Sequence, residues 1–129
     1  MSIVHLTDHF SEKELRCKCG CEYTGMNSEF MDKLEQLRNT VGKPLGVSSA
    51  YRCPDHNAKV SNTGRDGPHT TRKAIDLRCS RGLAYEVLRV ATLVGFTGVG
   101  VSQRGPHNNR FIHLDTLDHT LTRPWVWSY

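Results

Sequence analysis

The spacing of Phe30, Leu34, Leu37 and Val41 constrains this chain most: intervals of four, three and four put the four side chains on one face of a helix. Gly42 supplies a left-handed stop, so the pattern predicts a helix over 28–41 whose apolar face must be buried against another layer. Leu83, Val87, Ala91 and Val94 repeat the pattern and Gly95 ends it. The intervening chain reads as extended over 45–51, 74–79, 96–102 and 110–114, the last two joined through the Gly105-Pro106 turn. In 74–79, Ile75 and Leu77 alternate with Asp76 and Arg78, as in a half-buried strand. Ser11 and Glu14 form a capping box that opens a short helix ending before Cys17, and Pro54 opens a helical turn through Val60. This order of elements predicts an α+β fold, a small and mainly antiparallel sheet with helices packed on it.

With 129 residues the chain has the size of one domain, 1–129, with a core over about 10–115 and a tail, 116–129, that packs Trp125 and Trp127 back onto the body. Hydrophobic residues at 37% and charged residues at 23%, spread along the whole length, exclude a disordered or fibrous class. No apolar run approaches the roughly 20 residues of a membrane span, and Met1 to Phe10 carries two histidines and an aspartate where a signal peptide would be apolar. The expectation is therefore no membrane span and no export signal. The net charge of +4 points to a polyanionic partner, but the basic residues are scattered and lack interleaved aromatics, which argues against nucleic acid.

The five cysteines are an odd number, which argues against a disulfide-stapled secreted scaffold. Cys17, Cys19 and Cys21 alternate, and with Cys53 or Cys79 they could hold a structural zinc. Their one-residue gaps are tighter than the roughly two to four residues usual between zinc ligands, so the spacing favours free thiols or a redox-dependent disulfide.

Two segments look selected for something other than packing. From 61 to 72 the chain is a long polar loop carrying His69, seven residues before Asp76 in its strand. In Phe111-Ile112-His113-Leu114-Asp115, period 2 puts His113 and Asp115 on one strand face. Two imidazoles and a carboxylate are a standard ligand set for catalytic zinc. On spacing alone, a loop histidine and a strand aspartate are more readily read as surface or capping residues.

The segment Ser48-Ser49-Ala50-Tyr51-Arg52-Cys53-Pro54-Asp55-His56-Asn57, then His69 to Asp76, then Phe111 to Asp115, resembles in the same order the zinc D-alanyl-D-alanine carboxypeptidase family. That family includes vancomycin-resistance dipeptidases and phage endolysins, and shares a metal-binding core with the hedgehog signalling domain. The resemblance implies a hedgehog-like or D,D-peptidase-like fold, zinc on His69, Asp76 and His113, and Arg52 holding the substrate carboxylate or the developing oxyanion. Relatives usually have Ser and Gly where Gly67 and Arg72 stand. Many also carry a carboxylate three residues before the last histidine, where this chain has Arg110, which cannot accept a proton. His107 is then the candidate for proton transfer, with Asp115 as the fallback or as the group that orients a ligating imidazole. His5, His9 and His119 are expected to be solvated, and His56 to brace the site loop by hydrogen bonding.

The resemblance thus implies a monomeric zinc metallopeptidase acting on peptidoglycan peptide, as a D,D-carboxypeptidase or an L-alanyl-D-glutamate endopeptidase. The diffuse positive charge suits an anionic cell wall. With no export signal, the expected setting is a phage endolysin made in the host cytoplasm and acting at the wall after membrane permeabilisation. The alternative is a non-catalytic zinc module that binds wall peptide or a partner.

Overall fold

The computed structural model of the protein describes residues 9–21 and 25–129. His5 and most of the segment read for a signal peptide lie outside them. Four helices, α1 (Glu12–Leu15), α2 (Ser28–Val41), α3 (Pro54–Val60) and α4 (Arg81–Val94), accompany five strands, β1 (Gly46–Ser49), β2 (Ala74–Arg78), β3 (Gly98–Ser102), β4 (Phe111–Asp115) and β5 (Trp125–Ser128). The fold is α+β, as expected.

The local chemistry explains the boundaries. Ser11 and Glu14 form the reciprocal capping box at the start of α1. Asn27 caps α2 by accepting from the Phe30 amide, and Gly42 and Gly95 end α2 and α4 in the left-handed conformation. Pro54 occupies the first turn of α3, where its missing amide hydrogen costs nothing.

The sheet order is β1-β2-β4-β3-β5, with antiparallel pairing throughout except between β3 and β5, which run parallel. Phe30, Leu34 and Leu37 of α2 and Val87 and Val90 of α4 are buried with Ile75, Leu77, Ile112 and Leu114 of the central strands in one core. Phe30 and Phe96 meet edge to face at 5.8 Å.

Two expectations change. β2 is covered along almost its whole length rather than half-buried, since Ala74 to Leu77 are all buried. It lies between β1 and β4, and its polar-looking face carries Asp76 into a site. The tail is a fifth strand: Trp127 packs inward while Trp125 remains 54% exposed. Among the described residues, no helix is long and apolar enough to cross a membrane.

Candidate metal centre

Strand register builds the site. Across the sheet one row runs Ser49, Asp76, His113, Gly100, Trp127, each opposite the next on adjoining strands. The adjoining row runs Ala74, Asp115, Gly98, Trp125. Because side chains alternate along a strand, His113 and Asp115 share the face that carries Asp76. Ile75, Leu77, Ile112 and Leu114 fall on the opposite, helix-covered face.

His69 reaches this row from outside the sheet, on a 3-10 turn, Pro68–Thr71, within the long polar loop. Its Nδ1 lies 2.6 Å from the Ala50 carbonyl, and its Nε2 lies 3.2 Å from Asp76 Oδ1. His113 Nδ1 lies 3.0 Å from the same oxygen, and the two imidazoles meet edge to face at 5.1 Å. All three residues are buried.

The donor set fits a divalent metal. One donor atom from each of His69, Asp76 and His113 lies within 4.8 Å of the others. A tetrahedral zinc with bonds of about 2.0–2.1 Å separates its ligand atoms by about 3.3–3.4 Å, close to the 3.0 and 3.2 Å found here. The remote nitrogens are also engaged, which fixes which nitrogen faces the centre. His69 Nδ1 donates to the Ala50 carbonyl, and His113 Nε2 donates to Asp115 Oδ2 at 2.7 Å.

Asp115 is fully buried and has no free oxygen. Arg123 Nε donates to Oδ1 at 2.9 Å and Arg123 Nη2 to Oδ2 at 2.7 Å, a two-pronged grip from the tail. This removes Asp115 as a proton acceptor and leaves it orienting His113. Gly98 makes the arrangement possible, since any Cβ there would overlap the Asp115 carboxylate. At Gly100 a Cβ would overlap the Trp127 indole, and its absence lets that ring approach to 5.1 Å from the His113 imidazole.

Arg52 stands beside the centre. Its Nε donates to Ser49 Oγ at 3.1 Å, its Nη1 to Asn57 Oδ1 at 3.1 Å, and its Nη2 lies 3.6 Å from Asp76 Oδ2. Asn57, which is 1% exposed, also donates to Thr63 Oγ1 and the Gly64 carbonyl, so it braces the loop in the way expected of His56. His56 instead contributes its amide to Cys53 Sγ. His119 is exposed as expected, whereas exposed His9 contacts Glu35.

Both departures in the loop have structural reasons. Thr63 Oγ1 occupies the place where a side chain at Gly67 would begin. Arg72 adopts φ +68°, a left-handed position that favours glycine. It is held there by stacking over Tyr51 at 4.2 Å and by donating to the Gly25 carbonyl at 2.7 Å.

His69, Asp76, His113 and Arg52 line a cleft of about 540 Å³ whose aromatic wall is Phe111, Trp127 and Tyr129. His107 is exposed on a 3-10 turn, His107–Asn109, and does not line the cleft. Its neighbours Asn108, Asn109 and Arg110 line a second hollow that shares Arg52 and Asp76. Slight burial, then the charges of Arg110 and Arg81, lowers the His107 pKa. Arg110 itself is turned onto the Gly105 carbonyl at 3.0 Å. Sequence reasoning missed Arg123, Trp127 and Tyr129; the two tail tryptophans were the available signal.

The charges are interlocked. Burial alone would raise the Asp115 pKa, but hydrogen bonds from His113 and Arg123 overcome it and hold the group at about 2. Burial works against a protonated His113, but its bonds to Asp115 and Asp76 win and raise its pKa. Asp76 is likewise lowered, against burial, by both histidines. The depressed Asp115 contributes stability above its ordinary value of 3.8 and loses it as pH falls towards about 2. The raised His113 contributes fully below its ordinary 6.5 and loses it as pH rises through the higher folded value. The melting temperature of the metal-free chain should therefore drop as pH falls from 3.8 towards about 2, and drop again as pH rises beyond 6.5. A flat acid limb would contradict this network.

A family model, Peptidase M15, matches residues 8–115. No curated protein shows a match to the chain.

Proposed function

The chain belongs to the peptidase M15 family, a family of metallopeptidases, and from that membership we propose that it is a zinc-dependent peptidase hydrolysing peptide bonds of peptidoglycan, in the setting of a phage endolysin. The observation that carries the reading is the convergence of the His69, Asp76 and His113 donor atoms beside Arg52 in an open cleft.

His69 Nε2, Asp76 Oδ1 and His113 Nδ1 would hold the metal. A zinc ion held by these residues would supply a Lewis acid able to polarise a carbonyl and to lower the pKa of water to about 7. The protein's own groups do the rest. Arg52, anchored by Ser49 and Asn57, keeps Nη2 on the cleft side of Asp76, where it can grip a substrate carboxylate or steady a developing oxyanion. Trp127 shields the His113 imidazole from water. For His107 to carry the proton to the leaving amine, its exposed turn must bring the imidazole inward past Asn108 and Asn109, which line the second hollow. A peptide chain in the cleft would lie against Phe111 and Tyr129.

Such an enzyme, acting as a monomer, would be made in the host cytoplasm and reach the wall after the membrane is permeabilised. If Arg52 binds a terminal carboxylate the enzyme trims stems as a D,D-carboxypeptidase. If it steadies the oxyanion, an internal bond such as L-alanyl-D-glutamate is within reach.

Digestion of purified peptidoglycan tests the proposal, with the released fragments identified by mass spectrometry. The wild type should release peptide fragments, lose activity to a chelator and regain it with zinc. Arg52→Ala should lower kcat/KM about 10- to 100-fold, through KM if Arg52 binds a terminal carboxylate and through kcat if it steadies the oxyanion. Equal turnover by wild type and His107→Ala would remove only the proton-transfer assignment. A wild type that binds wall and zinc but releases nothing would establish the second reading, a non-catalytic wall-binding module, which Arg110 in place of a carboxylate favours.

A further inference from the structure

Four cysteines converge at a place remote in sequence from the triad. Cys17, Cys19 and Cys21 follow α1, and Cys53 is the N-cap residue of α3. One sulfur from each lies within 4.8 Å of the others. The measured separations are 3.3 Å for Cys17–Cys19, 3.8 Å for Cys17–Cys53 and 3.6 Å for Cys19–Cys53. Cys79 is apart, buried with its thiol donating to the Leu77 carbonyl.

We propose that Cys17, Cys19, Cys21 and Cys53 form a second metal site, a structural tetrathiolate centre for a thiophilic divalent cation, zinc foremost. Four thiolates around zinc at about 2.3 Å have sulfur–sulfur edges of about 3.8 Å, close to the separations found. Disulfide chemistry accounts for the cluster less well. A bridge joins two sulfurs and leaves the other two crowded against it, and bridges between residues two apart close a small, strained ring. Backbone amides supply an independent sign of sulfurs prepared to carry negative charge. The Cys53 amide donates to Cys17 Sγ at 3.4 Å, and the His56 amide to Cys53 Sγ at 3.4 Å. The one-residue gaps that spoke against zinc lose their force once the fourth ligand arrives from another element. A soft, sulfur-only set also selects against the hard cations that oxygen ligands prefer.

The centre would fasten the segment after α1 to the start of α3. That junction is already drawn together by the Tyr51 amide on the Leu15 carbonyl, and Cys53 follows Arg52 directly. Its role is to join two segments distant in sequence, so it does not depend on the peptidase reading.

Cobalt(II) substitution of the purified full chain tests it. The wild type and a His69→Ala/His113→Ala variant should both show a sulfur-to-cobalt charge-transfer band. The variant should retain about one equivalent of zinc by elemental analysis, and Cys19→Ser/Cys21→Ser should abolish the band. In the folded chain zinc should also slow alkylation of these four thiols relative to the chelator-treated protein. If the Cys19→Ser/Cys21→Ser variant does not fold, the band in the other two proteins still decides. A wild type without the band, or non-reduced protein with a disulfide among the four cysteines, would overturn the proposal. Loss of wall digestion with the band intact would count against the peptidase reading alone.

Discussion

In the His113→Ala variant, metal at the His69–Asp76 pair and wall digestion should be lost together, the latter by at least on the order of 10³-fold in kcat/KM. The magnitude follows from position. His113 is 2% exposed at the middle of the central row, with one nitrogen facing Asp76 and the other fixed by Asp115. Alanine leaves two carboxylates on one sheet face without the imidazole between them, so no neighbouring side chain replaces the donor. Circular dichroism would establish that the variant folds, and elemental analysis would count its metal. Digestion at the wild-type rate by a folded His113→Ala protein would end the metallopeptidase assignment of this centre.

Asp115→Ala should have the largest effect on stability. Arg123 is 8% exposed and its two nitrogens face the Asp115 carboxylate. Removing that carboxylate strands a buried guanidinium, which costs about 3–5 kcal/mol. It also frees His113 Nε2, so the imidazole loses its fixed orientation and metal affinity should fall about 10- to 100-fold in whatever fraction folds. Denaturant unfolding reads the first effect and a competitive chelator titration the second. The double variant Asp115→Ala/Arg123→Met separates them, because it removes the stranded charge: stability should recover substantially while metal affinity stays low. Recovery of both would show that Asp115 matters only as the partner of Arg123.

What could be read from the sequence follows the range of the forces involved. α2 and α4 were legible because an apolar face and a glycine stop are local signals, and both ends fell where Gly42 and Gly95 put them. The membership of His69, Asp76 and His113 in one motif order was legible too. Their convergence was not, since it depends on a register that sets Asp76 opposite His113, 37 residues away. β5 left no periodic trace: its burial pattern does not alternate, and its parallel pairing with β3 is decided by contacts distant in sequence. The cysteine spacing favoured free thiols, and all five cysteines are free; what it could not convey is how closely four of them gather. A ligand-gap rule describes neighbours along one turn, and Cys53 joins from another element.

The Peptidase M15 match ends at Asp115, yet Arg123 and Trp127, which clamp and cover the centre, lie beyond it. Synthesis runs from the amino end, so a nascent chain exposes all three donors before either support has left the ribosome. Until β5 docks beside β3, such a chain holds the donors with Asp115 unclamped and His113 uncovered. The grip on Asp115 and the cover over His113 therefore arrive with the β3–β5 pairing, later in the chain than the donors they support.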